Sequence, residues 1–218
     1  MVRARDRKLR SKDGPELPRS ERFLVTERRE KRAEYVIGKR QPTLTVVLED
    51  VYDPHNASAV LRSCDGVGVK DVHLVYVNQK PPKKTFGRSS SGSAGKWLDL
   101  HFHDSIEACY EHLHEQGFTI LATALEDESR EIYEVDFTEP TALVFGNEKD
   151  GVSAEGIAGA DGSLYIPMQG MVESLNISVS CAVTLYEAMR QRKDAGMYDT
   201  PQLDADVRDS MLADWMKR

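Results

Sequence analysis

Cysteine is scarce in this chain of 218 residues, and the three present, Cys64, Cys109 and Cys181, are far apart with no CxxC or Cys/His ligand spacing. That excludes a disulfide framework and a finger-type structural zinc, and it points to reduced, partly buried side chains. No apolar run approaches the ~20 residues needed to cross a bilayer, and Met1-Val2-Arg3-Ala4-Arg5 leads into charge where a secretory signal has its apolar core. A cytoplasmic protein with no membrane partner is expected. The common nucleotide-binding signatures are missing too. Gly66-Val67-Gly68 lacks the third glycine of the dinucleotide fingerprint and follows a helix, and Gly92-Ser93-Ala94-Gly95-Lys96-Trp97 fails the spacing of a phosphate loop. With no nucleophile elbow or HExxH in the chain, the common hydride-transfer and nucleotide-hydrolysing classes are disfavoured. His101 and His103, like His112 and His114, stand two apart, but no thiolate or carboxylate motif completes a site, so no metal is expected.

Charge is plentiful and unevenly placed. The net charge is −7, yet residues through Arg40 hold 14 Lys and Arg against 7 Asp and Glu. A basic arm on an acidic body is the electrostatic footprint of a polyanion partner, usually nucleic acid. The mixed signs of Glu27-Arg28-Arg29-Glu30-Lys31-Arg32-Ala33-Glu34 favour a helix with i, i+3 and i, i+4 pairs. The reading is a flexible basic leader over 1–19 and a basic helical RNA-binding arm over 20–40, ended by Gly38 and Pro42.

From Thr43 the pattern alternates: strand 44–48, helix 57–67, strands 72–76 and 97–102, helix 104–116, strands 119–124 and 141–145, helix 153–159, strand 163–166, helix 175–192. Such alternation predicts an α/β domain, 41–197, with a mainly parallel sheet. A C-terminal extension, 198–218, carries an amphipathic helix over 204–217. Residues 77–96 form a long loop with Lys80, Lys83, Lys84, Arg88, Lys96 and the run Ser89-Ser90-Ser91-Gly92, suited to phosphate contacts.

Polar residues collect at the ends of three apolar runs, where open α/β sheets bind ligands. Singly they are unremarkable: Asn56, Ser174 and Asn176 read as helix caps, Arg62 as half of a surface ion pair, Glu148 as part of an exposed turn. Their order is specific. Asn56-x5-Arg62, then Phe145-Gly146-Asn147-Glu148-x2-Gly151-Val152-Ser153, then Ile166-Pro167-Met168 with Ser174-Leu175-Asn176-x-Ser178, resembles the three motifs of the SpoU family of RNA ribose 2′-O-methyltransferases. Thr26-Glu27-Arg28-Arg29, Ser91-Gly92-Ser93 leading to Lys96-Trp97, and the ending Ala213-Asp214-Trp215-Met216-Lys217-Arg218 are similar to the TrmH type within it, which methylates guanosine-18 of tRNA.

The resemblance implies an α/β-knot (SPOUT-type) fold, a homodimer, S-adenosylmethionine as cofactor and tRNA as partner. It implies catalytic roles for Asn56, Arg62, Glu148, Ser174 and Asn176, with Arg62 nearest the reacting hydroxyl, Asn56 orienting it, Glu148 and Asn176 holding the site, and Ser174 on the RNA or the subunit interface. A mostly backbone and apolar cofactor pocket is expected from Thr123, Ala124, Leu125, Gly146, Ile166, Met168 and Leu175. RNA contacts are expected from Arg28, Arg29, Arg32, Lys39, Arg40, Lys96, Arg190 and Arg192. The rivals are a ribosomal RNA ribose methyltransferase and a noncatalytic RNA-binding dimer; the second has no chemical need for the intact polar set.

Overall fold

The computed structural model describes residues 19–77 and 94–218. Seven strands, β1 (Leu44–Glu49), β2 (Asp71–Val75), β3 (Asp99–His103), β4 (Thr119–Thr123), β5 (Arg130–Glu131), β6 (Thr141–Phe145) and β7 (Gly162–Tyr165), form one sheet in the order β3-β2-β1-β6-β4-β7-β5. Every pairing is parallel. β1 and β6 are buried along their whole length, as central strands covered on both faces must be.

Side-chain alternation divides the core. Leu44, Val46, Leu48, Leu143 and Phe145 face α2 (Pro54–Val67) and α5 (Ile177–Asp194). Val47, Val75, Ile120, Ala142 and Val144 face α3 (Ile106–Glu115) and α4 (Ala154–Gly159). The starts of α2, α3, α4 and α5 have local causes. Asp53 accepts from His55 N at 2.8 Å and Pro54 takes the first position of α2; Ser105, Ser153 and Asn176 accept from Ala108 N, Gly156 N and Ser178 N at the starts of α3, α4 and α5. The expected cap of α2, Asn56, therefore lies inside its first turn, and Ser174 caps nothing.

Helix α1 (Arg19–Ile37) packs on α6 (Ala205–Lys217) through Ala33, Ile37 and Trp215. Trp215 meets Trp97 with ring centroids 4.9 Å apart, an aromatic pair worth ~0.5–1.5 kcal/mol beyond its buried area. The short strand β5 has no counterpart in the sequence reading; two residues are too few to show a period of two. The leader and most of the 77–96 loop, with Lys80, Lys83, Lys84 and Arg88, lie outside the described residues. Among the described residues no helix is long and apolar enough to cross a membrane.

Candidate active site

Polar groups gather where β1 and β6 give way to loops and where α5 starts. Gly146 ends β6 because nothing larger fits: a Cβ there would lie 1.8 Å from the Gly151 carbonyl carbon and 2.0 Å from Val152 N. The loop closes on itself, Asn147 N to Gly151 O at 3.0 Å and Gly151 N to Asn147 O at 3.1 Å, with Gly151 at φ +74°. Asn147 accepts from the backbone of Lys149 and Asp150, and this turn lifts Glu148 toward the start of α2.

Glu148 Oε1 accepts from Asn56 Nδ2 at 2.7 Å, and its two oxygens also meet the backbone N–H groups of Asp53 and Tyr52, each at 3.3 Å. Asn56 Oδ1 accepts from Asn176 Nδ2 at 3.1 Å, and Asn176 Oδ1 accepts from Ser178 N at 2.9 Å and Ser178 Oγ at 2.7 Å. The relay has a fixed polarity. An ionised carboxylate only accepts, so Asn56 must present its amide NH2 to Glu148 and its oxygen to Asn176. At the other end the free N–H groups of α5 demand an acceptor, so Asn176 must present its oxygen to the helix and its NH2 to Asn56. Both ends agree, and the two amides between them have one orientation each.

Arg62 lies on α2 beyond Asn56, with an exposed side chain. Ser174 is exposed on the segment before α5 and stands outside this relay.

Two buried carboxylates outside the three motifs support the site. Glu49, buried at the end of β1, accepts from Ser153 N at 2.9 Å and Ser153 Oγ at 2.6 Å, tying β1 to the start of α4. Asp50, also buried, turns the chain at φ 46°, a left-handed conformation rare outside glycine, and accepts from Val77 N at 3.0 Å. Burial, and then Asp50, push the neighbouring Tyr76 phenol up to about 12. Two acids ending a strand that is apolar but for Thr45 are the signal available in Leu44-Thr45-Val46-Val47-Leu48-Glu49-Asp50.

The model of the SpoU rRNA Methylase family matches residues 43–186, more than half of the chain. The chain belongs to that family. Relatives extend the match over nearly the whole molecule. It is 51% identical over 193 residues, 88% of this chain and 98% of the relative, to the tRNA (guanosine(18)-2′-O)-methyltransferase of Thermus thermophilus. To the Escherichia coli K12 protein of the same name it is 45% identical, over 75% of this chain and 70% of that one. The crystal structure of the A. aeolicus TrmH/SpoU tRNA modifying enzyme superposes with a TM-score of 0.82 at 39% identity, covering 88% of this chain and 97% of that chain.

In this SpoU methylase the expected cofactor residues sit at the C-terminal ends of neighbouring strands β6, β4 and β7. Thr123 Oγ1 donates to Val144 O at 2.9 Å and Ala124 N to Leu164 O at 3.1 Å, which joins those ends. Leu125 is 76% exposed, Ile166, Met168 and Leu175 are half-buried, and Gly146 is buried.

Two of the expected RNA contacts are corrected. Arg40 is fully buried: its guanidinium donates to Val69 O, Asp65 Oδ1 and Trp97 O at 2.7–2.8 Å and lies over the Trp215 ring. Arg192 is fully buried too, donating to Phe137 O, Thr43 Oγ1, Thr43 O and Glu139 O at 2.7–3.0 Å. Burial pulls Arg192 down to about 10, so it remains cationic at neutral pH. Both are internal clamps on backbone carbonyls, and charge alone could not distinguish them from surface arginines. The others are at the surface or half-buried. Arg28, Arg29 and Arg32 are exposed on α1, with Arg29 donating to Trp215 O at 3.1 Å and Arg32 over the Tyr35 ring. Lys39, half-buried, donates to Tyr198 O; Lys96 is half-buried; Arg190 is exposed and paired with Glu187 and Asp194.

Proposed function

We propose that this chain transfers a methyl group from S-adenosylmethionine to the ribose 2′-hydroxyl of a tRNA nucleotide, guanosine-18 in the D-loop. The observation that carries it is the Glu148–Asn56–Asn176 relay, which joins the family's three motifs at the strand ends with Arg62 on the same helix as Asn56. The relatives' shared name and their near-complete coverage support tRNA as the substrate.

The cofactor residues fit the group. Thr123, Ala124, Leu125, Gly146, Ile166, Met168 and Leu175 are uncharged, and the exposed Leu125 offers apolar surface that an adenine would cover, a combination that suits an adenosine bearing a cationic sulfonium. When bound, S-adenosylmethionine supplies the electrophilic methyl group. The protein's own work is positioning and charge stabilisation, since the reaction needs little covalent help. Arg62 cannot serve as the base, because guanidinium keeps its proton below ~12; it stabilises the developing alkoxide. Asn56 orients Arg62 and the ribose from the first turn of α2. Glu148 and Asn176 hold Asn56 from opposite sides. Ser174, exposed beside the site, contacts the RNA or the subunit interface.

The domain division follows: leader 1–19, RNA-binding arm 20–40, knotted methyltransferase domain 41–197 threaded around Glu148 and Ser174, and helical extension 198–218. Arg28, Arg29, Arg32, Lys39, Lys96 and Arg190 grip phosphates. The enzyme is a cytoplasmic homodimer, and the exposed apolar Met171, Val172, Val179 and Tyr186 along the knot segment and α5 supply surface for the partner. Incubation with tritium-labelled S-adenosylmethionine and bulk unmodified tRNA, followed by mapping of the labelled nucleotide, tests the reading. Label on a D-loop guanosine ribose, lost in Arg62→Ala, is expected; label only on ribosomal RNA would overturn the substrate, and no cofactor binding would overturn the enzyme.

A further inference from the structure

A second polar cluster lies on the opposite face of the sheet, away from α2 and α5. Parallel pairing sets His73 of β2 beside His101 of β3 and Val75 beside His103, so His73, His101 and His103 project from one face, the face that packs on α3. Helix α3 brings Cys109 and His112, one turn apart and therefore neighbours on its surface. His73 is 2% exposed and Cys109 fully buried. His73 Nδ1 lies 2.9 Å from His103 Nε2, and the ligand atoms of His73, His103 and Cys109 all fall within 4.8 Å of one another. The His112 ring sits 5.7 Å from both the His73 and His103 rings, held by Gln116 at the surface. His101 stacks on His73 and pairs with Asp71 at 2.8 Å.

We propose that His73, His103 and Cys109, with His112 as fourth ligand, form a structural site for a zinc-class divalent metal that clamps α3 to the edge of the sheet. A tetrahedral ion with Zn–N of ~2.0–2.1 Å and Zn–S of ~2.3 Å needs neighbouring donor atoms about 3.3–3.8 Å apart. The observed spacing of His73, His103 and Cys109 reaches that with shifts of about an ångström, and rotation of the half-buried His112 would bring its ring in as the fourth. One thiolate with imidazoles selects zinc-like ions over magnesium or calcium. On binding, the Cys109 S–H bond breaks, its proton leaves to solvent and the sulfur lone pair forms the metal bond. Along the sequence no thiolate or carboxylate motif completes a site with His101, His103, His112 and His114. Folding supplies it: Cys109 comes from the helix and His73 from the neighbouring strand, while His114 turns away to Asp161 at 3.0 Å.

The test is a cobalt(II) titration of the full-length protein after dialysis against a chelator. The expected result is one equivalent of bound cobalt with visible d–d bands and a near-ultraviolet thiolate-to-cobalt charge-transfer band, both removed by added zinc. Cys109→Ser should lose the charge-transfer band. His103→Ala, at a half-buried position, should weaken cobalt binding by about tenfold or more, and His114→Ala should bind as the unmodified protein does. No charge-transfer band in the unmodified protein, or one that persists in Cys109→Ser, overturns the proposal and leaves a hydrogen-bonded histidine cluster.

Discussion

Replacing Glu148 by Ala removes the acceptor end of the relay and leaves three N–H groups, from Asn56, Tyr52 and Asp53, without their carboxylate. Hydrogen bonds to a charged group contribute ~1.5–3 kcal/mol when sheltered. Glu148 is exposed, so water re-solvates these donors and about 0.5–1 kcal/mol each is the appropriate scale. The sum, about 1.5–3 kcal/mol, bears on the orientation of Asn56 in the transition state and corresponds to roughly a 10- to 150-fold loss in rate. These bonds exist in the folded protein before substrate binds, so folding should lose up to the same sum, a fall in Tm of roughly 3–12 °C for a chain of this size. Single-turnover methyl transfer at saturating cofactor and tRNA measures the first quantity, thermal denaturation the second. Glu148→Gln keeps one acceptor oxygen and should restore part of the rate. Asn56→Ala should not add its full effect to Glu148→Ala, since both cut the same relay. Activity within twofold of the unmodified enzyme, or a stability loss well beyond that sum, would refute the positioning role.

Other outcomes follow from the same geometry. Neutralising Arg28 and Arg29 together should weaken tRNA binding and lower the slope of log affinity against log salt by up to about 2, at ~0.7–0.9 per phosphate lost, while cofactor binding survives; an unchanged slope would remove the arm from the interface. Arg192→Ala strips the Phe137, Thr43 and Glu139 carbonyls of their buried donor, and should cost about 3–5 kcal/mol, a Tm drop of roughly 6–20 °C. A stable variant with only a changed salt slope would return Arg192 to the RNA surface. Gly146→Ala must push the 146–152 loop open, and calorimetry should find at least about 2 kcal/mol of lost stability together with lost cofactor binding; an intact binding isotherm would contradict the close approach.

Much of this arrangement was legible before folding. The apolar runs at 44–48 and 141–145 and the cap Asn176 place strands and a helix within a residue or two of where they stand. Asn56, Glu148 and Asn176, 120 residues apart at the extremes, meet directly. Position along α2 was misjudged because Asp53-Pro54 is the stronger start signal, and moving the cap there is what releases Asn56 for Glu148. Buried function was the harder part. Glu49, Asp50, Arg40 and Arg192 are charged residues inside the fold, and their partners are mostly backbone atoms from distant segments, which no spacing in the chain encodes. The same holds for Cys109 and His73, unrelated in sequence and adjacent across the sheet.

The central claim is transfer to a ribose 2′-oxygen at one tRNA nucleotide. A tRNA carrying 2′-deoxyguanosine at position 18, compared with the same tRNA carrying guanosine there, tests it most directly in a labelled-methyl transfer assay. The account predicts stoichiometric label on the ribo form and none on the deoxy form, with both binding at similar affinity. Equal labelling of the two would contradict it, because the methyl group would then have gone to a base or to another nucleotide.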